Sequence, residues 1–145
     1  MRAVIQRVSQ AVVHYNNEEV SKIGAGFLVL VAIKVGDAEA QVKKMAEKIA
    51  HLRILEDETG KMNLSLIDKK QSVLLVSQFT LYGDCERGNR PSFIHSARPE
   101  EALPLFKLLQ SELQKFIKEL PVGVFGEYMQ ISLTNEGPTT IVLDI

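Results

Sequence analysis

The 145-residue sequence predicts an α/β fold: mixed β-sheets backed by two helices, in the order two strands, two strand–helix units and three strands, layered β/β/α. Three observations predict it. GFLVLVAIKV (26–35) and SVLLV (72–76) are nearly continuous apolar runs, the mark of strands covered on both faces. Two longer stretches repeat apolar residues at intervals of three and four, the spacing of one buried helical stripe. Shorter apolar stretches between turn residues fill both ends of the chain. Such an order matches neither a doubly wound nucleotide fold nor an all-β barrel.

Each element has its own justification. RAVIQRV alternates, with Ala3, Ile5 and Arg7 on one face and Val4, Gln6 and Val8 on the other. A second strand is expected over Ala11 to Tyr15, turning at Asn16-Asn17. After the 26–35 strand, Asp37 is expected to cap a helix carrying Val42, Met45, Ala46, Ile49 and Leu52 on its buried stripe and ending near Arg53. EDETGKMNLSLIDKK is polar and turn-rich. SVLLVSQFT then forms a strand that stops at a polar tip, where alternation puts Phe79 in the core. A second helix is expected from Pro99 to Leu120, with a local distortion at Pro104. The end reads as strands at Val122–Phe125, Met129–Thr134 and Thr139–Leu143, the last two resembling one long hairpin interrupted by TNEGPTT.

Composition narrows the function. With 46% hydrophobic and 24% charged residues the chain has the balance of an ordinary globular protein, expected as one domain over 1–145. No apolar run is long enough for a membrane span and MRAVIQRVSQ has no signal-peptide core, so a cytoplasmic protein with no membrane partner is expected. The single Cys85 and the scattered His14, His51 and His95 offer no metal-ligand spacing; neither metal nor cofactor is expected. A net charge of −1 argues against nonspecific coating of nucleic acid, yet CERGNRPSFIHSARP (85–99) gathers Arg87, Arg90 and Arg98 with only Glu86 opposing. That loop reads either as solvated surface or as a phosphate contact.

Familiar site signatures are absent. Gly24-Ala25-Gly26 precedes a strand rather than opening a helix and reads as a turn, not a dinucleotide fingerprint. Thr80 and Ser77 are conceivable nucleophiles, with Asp84 a conceivable base, but no histidine stands nearby in sequence. Gly137-Pro138 poses a separate question, because a hairpin turn favours Asn-Gly or Asp-Gly over a proline with fixed φ and no N–H. It is either a turn with proline at its edge or backbone presented to a ligand.

SQFTLYGD (77–84) and NEGP (135–138), at these positions in a chain of this length, closely resemble the two signatures of the D-aminoacyl-tRNA deacylase family, SQFTL and N-x-G-P-V-T. IQRV, IGAG, GKMN (60–63), ERGNRPSF (86–93) and NEGPTT extend the resemblance along the chain. Thr139 stands where the family usually has Val.

The resemblance implies hydrolysis of the ester joining a D-amino acid, and by extension glycine, to the terminal ribose of tRNA, as chiral proofreading by a homodimer. Ser77, Gln78, Phe79 and Thr80 would line the pocket around adenosine and ester. A cis Gly137-Pro138, with Asn135, would enter from the partner subunit, braced by Arg7, and reject L-amino acids by collision. The ribose 2′-hydroxyl and main-chain N–H groups near Phe79 and Thr80 would serve the chemistry, with no metal or cofactor. With tRNA as the substrate, the basic cluster of Arg87, Arg90 and Arg98 is expected, on its charge, to contact the tRNA backbone. A noncatalytic tRNA- or nucleic-acid-binding module and a conventional threonine esterase are the alternative readings.

Overall fold

The computed structural model covers Met1–Ile145. Its elements are β1 (Arg2–Tyr15), β2 (Glu18–Ile23), β3 (Gly26–Ala32), α1 (Glu39–Ala50), β4 (Leu55–Glu56), β5 (Met62–Leu64), α2 (Leu66–Lys69), β6 (Ser72–Ser77), a 3-10 turn (Phe79–Tyr82), α3 (Pro99–Gln114) and β7 (Gln130–Asp144). Five strands form one mixed sheet in the order β2-β1-β3-β6, with β7 added to β1; β4 and β5 make a separate small hairpin. Only β3 and β6 run parallel. The expected α/β architecture is present, with a third helix of one turn, α2, that the polar 56–70 stretch concealed.

The two expected N-terminal strands are one strand of 14 residues. β1 pairs with β3 over Arg2–Val8 and with β2 over Ala11–Tyr15. Asn16 and Asn17, at φ 51° and 64°, make the turn between β1 and β2, suiting a hairpin that needs positive φ twice. Ala3 and Ile5 face the core beneath the helices, whereas Val8, Ala11 and Val13 face a second core with Leu28, Leu74 and Val76. The change of face falls at an irregularity around Ser9, where β1 advances two residues against one of β7. Such a bulge bends the strand, and the outer half of β1 with β2 lies over the face of β3 and β6 opposite the helices. Both faces of β3 and β6 are thereby covered, as their apolar runs require.

The helices also depart from expectation. α1 is capped at Ala38, whose N–H donates to Gln41 Oε1 at 3.0 Å, and it ends at Ala50 rather than near Arg53. Asp37 instead accepts from the Met1 ammonium at 2.9 Å and from Lys34 N–H at 2.7 Å, joining the start of the chain to the β3–α1 connection. α3 ends at Gln114, not Leu120; Ile117 and Leu120 reach the core from irregular backbone, because burial needs the side chain and not the helix. Helix runs unbroken through Pro104, whose missing N–H deprives only Glu100, in the exposed first turn where water serves the carbonyl.

The C-terminal hairpin does not exist. β7 is a single strand of 15 residues, antiparallel to β1 on both sides of the Gly-Pro pair: Thr140 lies opposite Gln6 and Asn135 opposite Val8. Residues 136–139 face Arg7 alone and are extruded as a loop. Val122–Phe125 is no strand either; Val122 makes one parallel bridge to Leu75, and 119–123 covers the outer edge of β6 through backbone bonds. No helix is long and apolar enough to cross a membrane.

Candidate active site

β6 ends at Ser77, and the chain leaves the sheet before alternation can carry it further. Gln78 N–H donates to Val31 C=O at 2.8 Å, and the next residues coil into the 3-10 turn. Arg2 pins the turn. Its Nη1 donates to Leu81 C=O at 3.1 Å, its other nitrogens bind Asp144 at 2.8 and 3.2 Å, and its guanidinium lies 5.2 Å over the Tyr82 ring. Tyr82 is pushed up to about 12 by burial, then by Asp37 and Asp144, with Arg2 opposing, so its phenol keeps its proton.

Phe79 and Thr80 open the turn, so no intrahelical carbonyl accepts from their N–H groups. Phe79 is 57% exposed and meets Phe93 edge-to-face at 5.1 Å. Its expected place in the core is corrected: strand alternation stops at Ser77, and the ring belongs to a cavity of about 570 Å³. Val31, Ser77, Gln78, Phe79, Phe93, Arg98, Phe106, Phe125 and Met129 are among the walls, which are mostly apolar with a few polar groups at the β6 tip. A cavity of that size and character suits a nucleoside-sized ligand.

Thr80 lacks a base. Its hydroxyl is bonded to the side-chain amide of Gln78, which does not take up a proton at neutral pH. Asp84, the conceivable base, accepts from Glu86 N–H at 2.8 Å and has no bond to Thr80. No cluster of His, Cys, Asp and Glu has the geometry to hold a metal ion.

The Gly-Pro loop is built separately. Its peptide bond is cis, and Gly137 has φ +123°, a conformation L side chains rarely adopt. Asn135 closes the loop, its Oδ1 accepting from Thr139 N–H at 2.8 Å and its Nδ2 donating to Thr140 Oγ1 at 3.0 Å. Arg7, only 8% exposed, stands beneath it, donating to Glu136 C=O at 3.1 Å, Ile54 C=O at 2.9 Å and Glu56 Oε1 at 3.0 Å. Sequence alternation put Arg7 on a strand face but gave no sign of Glu56 or Ile54, which reach it from β4 and the residue before it. Thr139 is 5% exposed, and its buried hydroxyl has no partner. Replacing both an orphan hydroxyl and its desolvation penalty with a methyl is favourable, so Thr139→Val is expected to stabilise the protein by about 1 kcal/mol in urea unfolding.

The two segments do not meet within one chain. The loop belongs to β7 and faces Arg7, which lies opposite Phe27, whereas Ser77 pairs with Val31, four residues further along β3, on a strand three across from β7. At about 3.3 Å per residue and 4.8 Å per strand they stand roughly 20 Å apart. The loop's Glu136 lines a smaller hollow with Arg7 and Glu56, and none of the three touches the larger cavity. Arg87 and Arg90 are exposed in the 85–92 loop without ion pairs, and Arg98 sits at the N-cap of α3 on the cavity wall.

Residues 4–144 match the family model described as D-Tyr-tRNA(Tyr) deacylase. A D-aminoacyl-tRNA deacylase of Thermus aquaticus is 51% identical over 144 residues, covering 99% of this chain and 95% of the relative. One from Lactobacillus gasseri is 52% identical over 145 residues and covers both chains completely. Among solved structures, the c-Myc DNA Unwinding Element Binding Protein superposes with a TM-score of 0.95 at 38% identity, covering 100% of this chain and 99% of that one.

Proposed function

The chain belongs to the D-Tyr-tRNA(Tyr) deacylase family, a hydrolase of D-aminoacyl-tRNA, and on that premise we propose how its two separated segments make one site. The cavity at the β6 tip receives the terminal adenosine and its aminoacyl ester, and the Gly137-Pro138 loop of a second copy closes over it. One observation carries this reading: the loop and the cavity stand too far apart to serve each other within a chain. β7 also pairs only with β1, leaving its other edge open for its whole length, and an open edge calls for a partner.

The chemistry follows from what the cavity offers. Water attacks the ester carbonyl carbon, the bond from that carbon to the ribose oxygen breaks, and the products are the free amino acid and the tRNA 3′-hydroxyl. The free N–H groups of Phe79 and Thr80 receive the developing oxyanion. Proton handling falls to the ribose 2′-hydroxyl, because Thr80 has only an amide beside it. Ser77 and Gln78 position the ester, and no cofactor takes part. Arg87, Arg90 and Arg98 contribute attraction to the tRNA backbone from beside the cavity. The setting is proofreading of cytoplasmic translation.

Selection works by exclusion. Backbone at Gly137-Pro138, held by Asn135 and Arg7, lies where the side chain of an L-amino acid would project, and a D side chain points away from it. Such a wall cannot reject glycine, which has nothing to strike it. Deacylation of D-tyrosyl-, glycyl- and L-alanyl-tRNA side by side at equal enzyme concentration tests this. The first two are expected to be cleaved and the third to survive. Glycyl-tRNA as resistant as L-alanyl-tRNA would mean that D side chains are recognised by contacts of their own.

The superposing c-Myc DNA Unwinding Element Binding Protein is named for binding DNA, and that favours a second reading, a noncatalytic nucleic-acid-binding module. It predicts retention of tRNA without release of any amino acid. The same three-substrate assay separates the two readings.

A further inference from the structure

We propose that Tyr128 is a stacking platform for the penultimate nucleotide of the substrate's single-stranded 3′ end, an inference that rests on reading the cavity as the terminal-adenosine site. Tyr128 follows the Gly126 turn, at φ +76°, and directly precedes Met129, which lines the same cavity. The residue is 86% exposed, the highest value of any large apolar residue here, and its ring has no aromatic partner. It is nonetheless part of the cavity wall, so it stands at the mouth.

Its surroundings fit an RNA end rather than open water. Phe79 is 57% exposed on the same wall, so exposed aromatic surface stands at two places around this opening. Single exposed apolar residues are ordinary, but a rim of them beside a binding cavity is a contact surface. A nucleotide chain whose last base occupies the cavity must carry the preceding base across this rim. Unpaired bases are held by aromatic faces, which serve any base. Arg98, on the same wall and free of ion pairs, offers positive charge toward the connecting phosphate.

The test compares two esters, D-tyrosyl-tRNA and D-tyrosyl-adenosine, the second having no penultimate base. Tyr128→Ala is expected to lower kcat/KM about tenfold on the charged tRNA, within the range for loss of one stacked base, and to cost the adenosine ester several-fold less, since only the wall contact is lost there. Tyr128→Phe should keep near-normal rates on both, because stacking needs the ring and not the hydroxyl. Equal losses on the two esters, unchanged rates on both, or a changed oligomeric state for Tyr128→Ala would overturn the proposal. Failure of the unaltered protein to cleave either ester would overturn the cavity reading itself, and the stacking role with it.

Discussion

Gly137→Ala is expected to reduce deacylation of D-tyrosyl-tRNA by roughly 100-fold or more, because a misplacement of about 1 Å at a reacting centre has that effect. A Cβ at Gly137 would lie 2.5 Å from Thr139 Oγ1 and 2.9 Å from Arg7 Nη2, both closer than atoms tolerate. Neither neighbour can withdraw easily. Thr139 is buried and tied to Asn135 through its N–H, and Arg7 is committed to Glu136, Ile54 and Glu56. The loop must therefore move, and φ +123° adds its own strain for alanine, on the order of 1–3 kcal/mol. Single-turnover rates measured beside an unfolding curve separate the effects: the expected variant remains folded yet slow. Unchanged rates on D- and L-esters would remove the loop from the site.

Replacing the terminal ribose 2′-hydroxyl by hydrogen is expected to slow cleavage about 100-fold or more, the lower range for loss of a positioned proton-transfer group. Thr80→Ala should retain at least roughly a tenth of the activity, since its hydroxyl has only the Gln78 amide as a side-chain partner and no route to deprotonation. The main-chain N–H of residue 80 survives that substitution, so the oxyanion contact is kept. Both measurements use D-tyrosyl esters of matched RNA. An acyl-enzyme trapped on Thr80, or a larger loss from Thr80→Ala than from the deoxy substrate, would restore the conventional esterase.

Much of the fold was legible in the apolar patterns. The runs at 26–35 and 72–76 were readable because burial on both faces leaves no room for polar residues. β1 was divided in two because its buried set changes face near Ser9, and a bulge looks in sequence like a break. The C-terminal hairpin was misread for a related reason: Gly-Pro marks a reversal far more often than a loop extruded from a strand that then resumes its course. Single-chain patterns gave Ser77 to Thr80 as a candidate segment, but the change from strand to 3-10 turn moved Phe79 from core to cavity wall. Glu56 and Tyr128 carried no signal, since long-range hydrogen bonds and exposure depend on tertiary placement.

The strand that resumes its course has an evolutionary consequence. On one side of the extruded residues Leu133 and Ile131 join one core; on the other Ile141 and Leu143 join the other, so each flank fixes its own alignment with β1. Changes in Glu136 to Pro138 thus need not shift a single pairing outside the loop. Under the exclusion proposed for this loop, foldability and stereochemical choice become separately heritable: a lineage can drift in what its loop refuses while the scaffold keeps its melting temperature, and a transplanted loop can carry its preference into a relative's frame.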